Sequence, residues 1–123
     1  MKETGKFQRG VALFNAGKFF EAHEVWEEIW LAEPAPEKTF LQGLIQLAAA
    51  FLHAGRGNMR GARSLLAAGI AKLERFPGDH RGLALAELRD EAKRWAASVG
   101  ESGEPRARKP PRIRRARKTK RGG

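Results

Sequence analysis

The stretch "FLQGLIQLAAAFLHAG", residues 40–55, decides the fold of this protein. When the stretch is drawn as an α-helix, its large apolar residues fall at nearly every angle around the axis. A helix that is apolar almost all round is buried on every side by other elements. Period-two alternation is absent from the rest of the chain, and β-branched residues are few. The sequence therefore predicts an all-α protein built around this central helix.

Start and stop signals place about five helices along the chain. Their expected ranges are 4–16, 19–31, 36–54, 58–75 and 79–98. Gly17 suits the left-handed cap that ends many helices, and Asn58 and Asp79 are candidate N-caps of the fourth and fifth helices. Because the connections are short, we expect neighbouring helices to run antiparallel in a compact bundle.

Two of the turns resemble each other. "GKFFEA" begins at Gly17 and "GNMRGA" begins at Gly57, a spacing of 40 residues, and the two match in Gly and Ala. Each lies at a helix–turn–helix junction and is similar to the turn of a tetratricopeptide-type hairpin, in which small residues allow two helices to approach closely. Chance matching of Gly and Ala is the alternative interpretation.

The positive charge of the chain is concentrated at its C-terminal end. Residues 1–100 contain 14 Lys and Arg against 12 Asp and Glu, whereas residues 101–123 contain 10 against 2. Ile113 is the only large apolar residue of that second segment, so the segment has little surface to bury against the entropy of ordering. We therefore predict a helical domain over 1–100 and a disordered basic tail over 101–123.

A tail of this composition is typical of polyanion binding. Its cations are Arg106, Arg108, Lys109, Arg112, Arg114, Arg115, Arg117, Lys118, Lys120 and Arg121. Such residues contact phosphates without reading sequence, and no base-reading motif precedes them. The prediction is a non-specific RNA or DNA tether. A solubilising extension is the other interpretation, and a membrane surface is disfavoured because the tail has no apolar anchor.

Composition excludes some classes of site. There is no cysteine, so disulfides and thiolate metal sites are excluded. The longest apolar run, 41–52, is interrupted by Gln and Gly and is too short to span a bilayer. The first ten residues lack the apolar run of a signal peptide. We expect a soluble, cytoplasmic protein.

The second helix, "FFEAHEVWEEIW" at 19–30, has one feature that simple amphipathicity does not explain. Three of its glutamates fall together on the outer face, and its aromatic residues fall mainly on the core side. His23 lies within the apolar face, and Glu27 lies on the same edge one helical turn later. Side chains at i and i+4 meet on a helix, so His23 and Glu27 are expected to pair.

The central helix carries a matching polar stripe. Gln42, Gln46 and His53 fall within about 40° of one another on its wheel. Polar groups on a buried helix need partners, because each one left unpaired costs roughly 1–3 kcal/mol. We therefore predict that the second and third helices face each other through His23, Glu27, Gln42, Gln46 and His53.

The role of this cluster stays open at the level of sequence. A hydrogen-bonded network that fixes helix register is one interpretation. A ligand pocket is another, with Gln42, Gln46, Trp26 and Asn58 as candidate contacts. A small enzyme could use His23 as a base oriented by Glu27, with His53 as partner. The same His23, Glu27 and His53 could bind a divalent metal, although "HEVWE" lacks the second His of the metalloprotease pattern.

His80 follows a candidate helix start, and we expect a surface or capping residue there. Trp26 and Trp95 are expected to pack in the core. The sequence leaves open the ligand, any cofactor, any protein partner and the oligomeric state.

The runs "LFNAGKFFEAHEVWEEIW" and "FLQGLIQLAAAFLHAGRGNMRGARSLL" resemble domain-of-unknown-function family number 309, a family of small all-helical proteins of bacteria and archaea. The resemblance extends from about Phe7 to Leu88 and implies a compact helical bundle without an established activity. The motif positions in this chain are His23, Glu24, Trp26, Glu27, Gln42, Gly43, Gln46, His53, Asn58 and Gly61. The basic tail lies outside the pattern.

Overall fold

Five α-helices and one short 3-10 helix make up the computed structural model, which describes residues 2–99 and 109–117. The helices are α1 Lys2–Asn15, α2 Phe19–Ala32, α3 Glu37–Gly55, α4 Met59–Leu73 and α5 Leu85–Val99, with the 3-10 turn at His80–Gly82. The all-α bundle expected from the sequence is confirmed. None of the helices in the described ranges is long and apolar enough to cross a membrane.

The third helix is the centre of the bundle, as its apolar circumference predicts. Phe40 contacts Phe7 of α1, with ring centroids 6.2 Å apart. Phe51 contacts Phe19 of α2 at 5.6 Å and Trp95 of α5 at 5.0 Å. All five of these residues lie in the hydrophobic core or pack against it. One helix therefore supplies the surface on which the others assemble.

α3 and α4 approach each other at a pair of glycines. A Cβ atom added to Gly69 would lie 2.9 Å from the backbone oxygen of Gly43. A Cβ added to Gly43 would meet the side chain of Leu73 at 2.8 Å. Since neither position has room for a side chain, the two backbones touch at this crossing. The absence of a Cβ at both positions makes α3 and α4 the closest hairpin of the bundle.

The two helical hairpins, α1–α2 and α3–α4, have the same turn. Gly17 has φ 81° and Gly57 has φ 84°, the left-handed conformation that glycine adopts at a helix C-terminus without strain. In each turn the residue after the glycine donates its backbone N–H to a carbonyl near the end of the preceding helix: Lys18 to Leu13, and Asn58 to His53, both at 2.9 Å. The "GKFFEA" and "GNMRGA" echo therefore marks two turns with the same backbone geometry.

The N-terminus of α5 differs from the prediction. Asp79 does not cap it: the segment from Asp79 makes a 3-10 turn, and α5 begins only at Leu85. Arg81 and Gly82 have positive φ values of 60° and 77°, which interrupt any helix. The backbone N–H groups of Leu85 and Ala86 both bond to the carbonyl of Gly78. A turn with its own backbone bonds therefore replaces the first helical turn expected here.

The prediction of a wholly disordered tail is wrong for residues 109–117. This docked segment lies in extended form against the helical domain, and Leu83 and Arg115 form an antiparallel bridge. Ile113 is 3% exposed, and its backbone exchanges two hydrogen bonds with the Asn15 side chain, at 2.7 and 2.9 Å. Backbone bonds and one buried side chain therefore hold a segment whose composition is typical of disorder. Residues 101–108 and 118–123 of the predicted tail lie outside the described residues.

Candidate functional site

The His23–Glu27 pair forms on α2 as predicted. His23 Nε2 lies 3.5 Å from Glu27 Oε2, and the two side chains are 27% and 50% exposed. The His23 ring also stacks on Phe20, with ring centroids 6.3 Å apart and planes at 16°. The pair is thus at the edge of the bundle, in contact with solvent. It is not enclosed between helices.

The cross-helix network predicted around this pair is not made by hydrogen bonds. Within the described residues, His23 Nδ1 and Gln46 Oε1 are buried and have no hydrogen-bond partner. No hydrogen bond in the described ranges joins His23 or Glu27 to Gln42, Gln46 or His53.

Helix register nevertheless places His23 and Gln46 at similar heights along the bundle. α2 and α3 run antiparallel, and Phe19 meets Phe51 near one end. Lys38 Nζ donates to the backbone oxygen of Trp30 at 2.7 Å near the other end. Between these contacts His23 of α2 lies level with Gln46 of α3. The hydrogen bonds that periodicity suggested between these helices are absent from the described residues.

His53 belongs to the α3–α4 turn. Its Nδ1 lies 3.0 Å from Nδ2 of Asn58, and Asn58 Oδ1 accepts the backbone N–H of Gly61 at 3.0 Å. Asn58 is therefore the N-cap of α4, as predicted, and His53 supports it. No three His, Asp or Glu side chains in the described part of the chain are placed to hold a metal ion. His23, Glu27 and His53 accordingly do not form the metal site considered above.

Trp26 is a core residue, which the structure confirms. It is fully buried, and its Nε1 donates to the backbone oxygen of Phe7 at 3.2 Å. The indole lies directly against Gly10 of α1, where a Cβ atom would overlap it. Trp26 therefore links α2 to α1 and presents no surface to a ligand.

His80 is not the surface residue expected. Its Nε2 lies 3.0 Å from Glu37 Oε2, and its ring packs against Phe40 and Phe76 at 4.6 and 4.8 Å. Arg81 Nη1 donates to the same carboxylate oxygen at 3.2 Å. Glu37, in the first turn of α3, thus fastens the loop before α5. Sequence reasoning missed this cluster because Glu37 is 43 positions from His80 and 44 positions from Arg81.

The docked segment creates a cleft of about 680 Å³ against α1 and the loop before α5, here called the arginine cleft. Four arginines line it: Arg81, Arg114, Arg115 and Arg117. Its other lining residues are Gln8, Val11, Asp79, Gly82, Leu83, Ile113 and Ala116. The sequence contained the cations but gave no sign of the wall opposite them, since that wall comes from α1 and from residues 79–83.

Half of the residues predicted to contact nucleic acid lie in the docked segment. They are Lys109, Arg112, Arg114, Arg115 and Arg117. All five are exposed, and Arg114 forms an ion pair with Glu91 at 3.4 Å. The other five, Arg106, Arg108, Lys118, Lys120 and Arg121, lie outside the described residues.

One family model matches the region that contains both hairpin turns. It is the model of the domain of unknown function DUF309, and it matches residues 7–65. The match extends from α1 into α4 and contains every candidate residue from His23 to Asn58. It ends before the Leu88 expected from the resemblance, so α5 and the docked segment lie outside the matched DUF309 region.

Two relatives of this chain have far longer sequences than the region they share with it. The uncharacterized protein YpuF of Bacillus subtilis (strain 168) is 39% identical over 66 residues, which cover 53% of this chain and 36% of YpuF. An uncharacterized protein of Aquifex aeolicus (strain VF5) is 31% identical over 77 residues, which cover 62% of this chain and 23% of that protein. The similarity therefore concerns a shared helical unit.

Proposed function

We propose that this protein is a binding module that contacts RNA or DNA through its C-terminal segment. The observation that carries the proposal is the docked segment, which presents arginines on a fixed extended backbone. Ile113 is buried beneath it, while Arg112, Arg115 and Arg117 are exposed. The helical domain thus acts as the support, and the basic segment is the contact surface.

A fixed row of cations favours a phosphate backbone for an electrostatic reason. Each phosphate neutralised by Lys or Arg releases condensed counterions, which lowers affinity as salt rises. Arginine also matches phosphate geometry through two parallel N–H donors. Within the described residues, Arg115 and Arg117 have no acidic partner, so their charge is available to an external anion. Such binding is independent of base sequence.

The test compares two variants of equal charge. R112Q/R115Q/R117Q removes three cations of the docked segment and keeps Ile113. R60Q/R75Q/R94Q removes three exposed cations from α4, the residues after it, and α5. Binding of a fluorescent single-stranded RNA is followed by anisotropy over a range of salt concentrations. We expect the salt slope to fall by about 2 for the first variant, at roughly 0.7 per phosphate contact, and to change little for the second.

Two results would contradict the proposal. One is the absence of salt-dependent binding by the unaltered protein to either single-stranded RNA or duplex DNA. The other is an equal loss in both triple variants, which would attribute the binding to net charge and not to the docked segment.

A further inference from the structure

The arginine cleft combines three kinds of surface in one concave site. Its floor is formed by the apolar residues Val11, Leu83 and Ile113, which are 9%, 3% and 3% exposed. Arginines line the side formed by the docked segment and the loop. Gln8 and Asp79 add polar groups able to accept or donate hydrogen bonds.

Inorganic phosphate would use only the arginines of such a site. A nucleotide would use all of it, because it joins an anionic phosphate to a planar base with a largely apolar face and a hydrogen-bonding edge. The volume of about 680 Å³ lies inside the range of roughly 300–1,000 Å³ that is usual for small-ligand sites. Size and lining therefore both favour a nucleotide over a bare anion.

Two of the four arginines are already held in place. Arg81 is bonded to Glu37, and its guanidinium lies over the ring of Phe7 with 4.4 Å from the central carbon to the ring centroid. Arg114 is paired with Glu91. Residues anchored in this way form a preorganised wall, which reduces the loss of side-chain freedom on binding. Arg115 and Arg117, which have no acidic partner within the described residues, complete the wall and supply the charge for the phosphate.

We propose that the arginine cleft binds one unstacked nucleotide of a single-stranded nucleic acid, with the phosphate at the arginines and the base on the apolar floor. This inference rests on the proposed function and adds the strand type and the place of contact. A paired base is held inside its stack and cannot enter a cleft, whereas a single strand offers bases that splay out.

The experiment narrows the cleft without changing its charge. Ala116 lines it, and the backbone N–H of Ala116 bonds to Gly82 at 2.8 Å, a bond that Ala116→Leu keeps. Ala97→Leu, at an exposed position of α5, is the matched control. Affinity is measured for short oligouridine and for the corresponding duplex. We expect Ala116→Leu to weaken oligouridine binding roughly tenfold, which corresponds to about 1.4 kcal/mol, and to leave the salt slope unchanged.

A second measurement keeps the test decisive if Ala116→Leu disturbs the docked segment. Uridine monophosphate added to the unaltered protein is expected to shift the amide resonances of Gln8, Leu83 and Ala116, and inorganic phosphate is expected to shift them less. Equal shifts with both ligands would overturn the nucleotide assignment.

The outcomes separate the two proposals. Salt-dependent RNA binding that Ala116→Leu leaves intact, with no shifts at the cleft floor, would refute the cleft and leave the proposed function standing. The absence of salt-dependent binding by the unaltered protein would refute both.

Discussion

Replacing Ile113 by alanine is the most direct test of the docked segment. Ile113 is 3% exposed, so nearly the whole side chain is removed from water on docking. The change deletes the equivalent of three methylene groups at about 0.8 kcal/mol each, or roughly 2.4 kcal/mol. Since 1.4 kcal/mol corresponds to a factor of ten, the equilibrium between docked and undocked forms should shift roughly fiftyfold towards the undocked form. The helical domain should keep its fold, because the rest of the core is unchanged.

The rate of trypsin cleavage measures the equilibrium between the docked and undocked forms. The bonds after Arg112, Arg114 and Arg115 lie within the docked segment, where they pair with the loop or border the buried Ile113. Cleavage requires undocking, so its rate follows the undocked population when opening is fast compared with cleavage. We expect mass spectrometry to show these three bonds cut roughly fiftyfold faster in Ile113→Ala. Asn15→Ala should also accelerate cleavage, since it removes both bonds to the Ile113 backbone.

Leu31→Ala is the control for a general loss of apolar surface. Leu31 is 72% exposed on α2, and its removal should leave the tryptic rates at these bonds unchanged. The reasoning fails if the unaltered protein is cut at the three bonds as fast as a free peptide of the same sequence. It also fails if Ile113→Ala is cut at the rate of the unaltered protein.

Two further predictions concern the helical domain itself. On α1, Gly10→Ala should lower the free energy of unfolding by about 1–3 kcal/mol because its Cβ would overlap the Trp26 indole. Gly5 lies in open space, so Gly5→Ala should raise the free energy of unfolding by roughly 0.5–1 kcal/mol. Urea unfolding of both variants checks the opposite signs, and equal effects would contradict the packing. The hydrogen bond and charge of Lys93, at 2.6 Å, lower the pKa of Glu74 below its ordinary 4.5. The stabilisation of the fold by the Glu74–Lys93 pair is then complete above pH 4.5 and is lost as the pH falls through the lowered pKa. The difference in unfolding midpoint between Glu74→Gln and the unaltered protein should therefore shrink in acid. A difference that does not depend on pH would refute the pairing.

Periodicity predicts the helices and the centre of the fold well because both depend on local pattern. The apolar circumference of α3 requires neighbours on all sides, and Phe51 indeed contacts three other helices. Gly17 and Gly57 mark two turns whose geometry glycine alone adopts without strain. In each case one short stretch of sequence contains the whole physical reason for the structure.

The polar stripe of α3 shows where this reasoning ends. A helical wheel gives the direction of Gln46 but not the helix that faces it. The Cβ of Gln46 lies 3.3 Å from where a Cβ on Gly69 would be, so this side of α3 is also close to α4. Because two helices share the stripe, angle alone could not pair Gln46 with His23.

The docked segment could not be predicted from composition, because its bonds join residues that are far apart in sequence. Asn15 and Ile113 are separated by 98 positions, and the bridge to Leu83 uses backbone groups that every residue has. Composition measures the apolar surface of a segment. It does not reveal a polar side chain elsewhere that satisfies both backbone groups of one residue.

The geometry also changes how a nucleic-acid contact must be tested. Asn15, Gln8 and Val11 belong to α1, inside the DUF309 region, yet they receive a segment from outside it. Deleting the chain after residue 100 would remove the cations, the buried Ile113 and one wall of the cleft together. A loss of RNA binding on truncation would therefore not distinguish electrostatic tethering from a built site. Two variants separate these contributions. One neutralises Arg112, Arg115 and Arg117 and keeps Ile113, and the other narrows the cleft and keeps every charge.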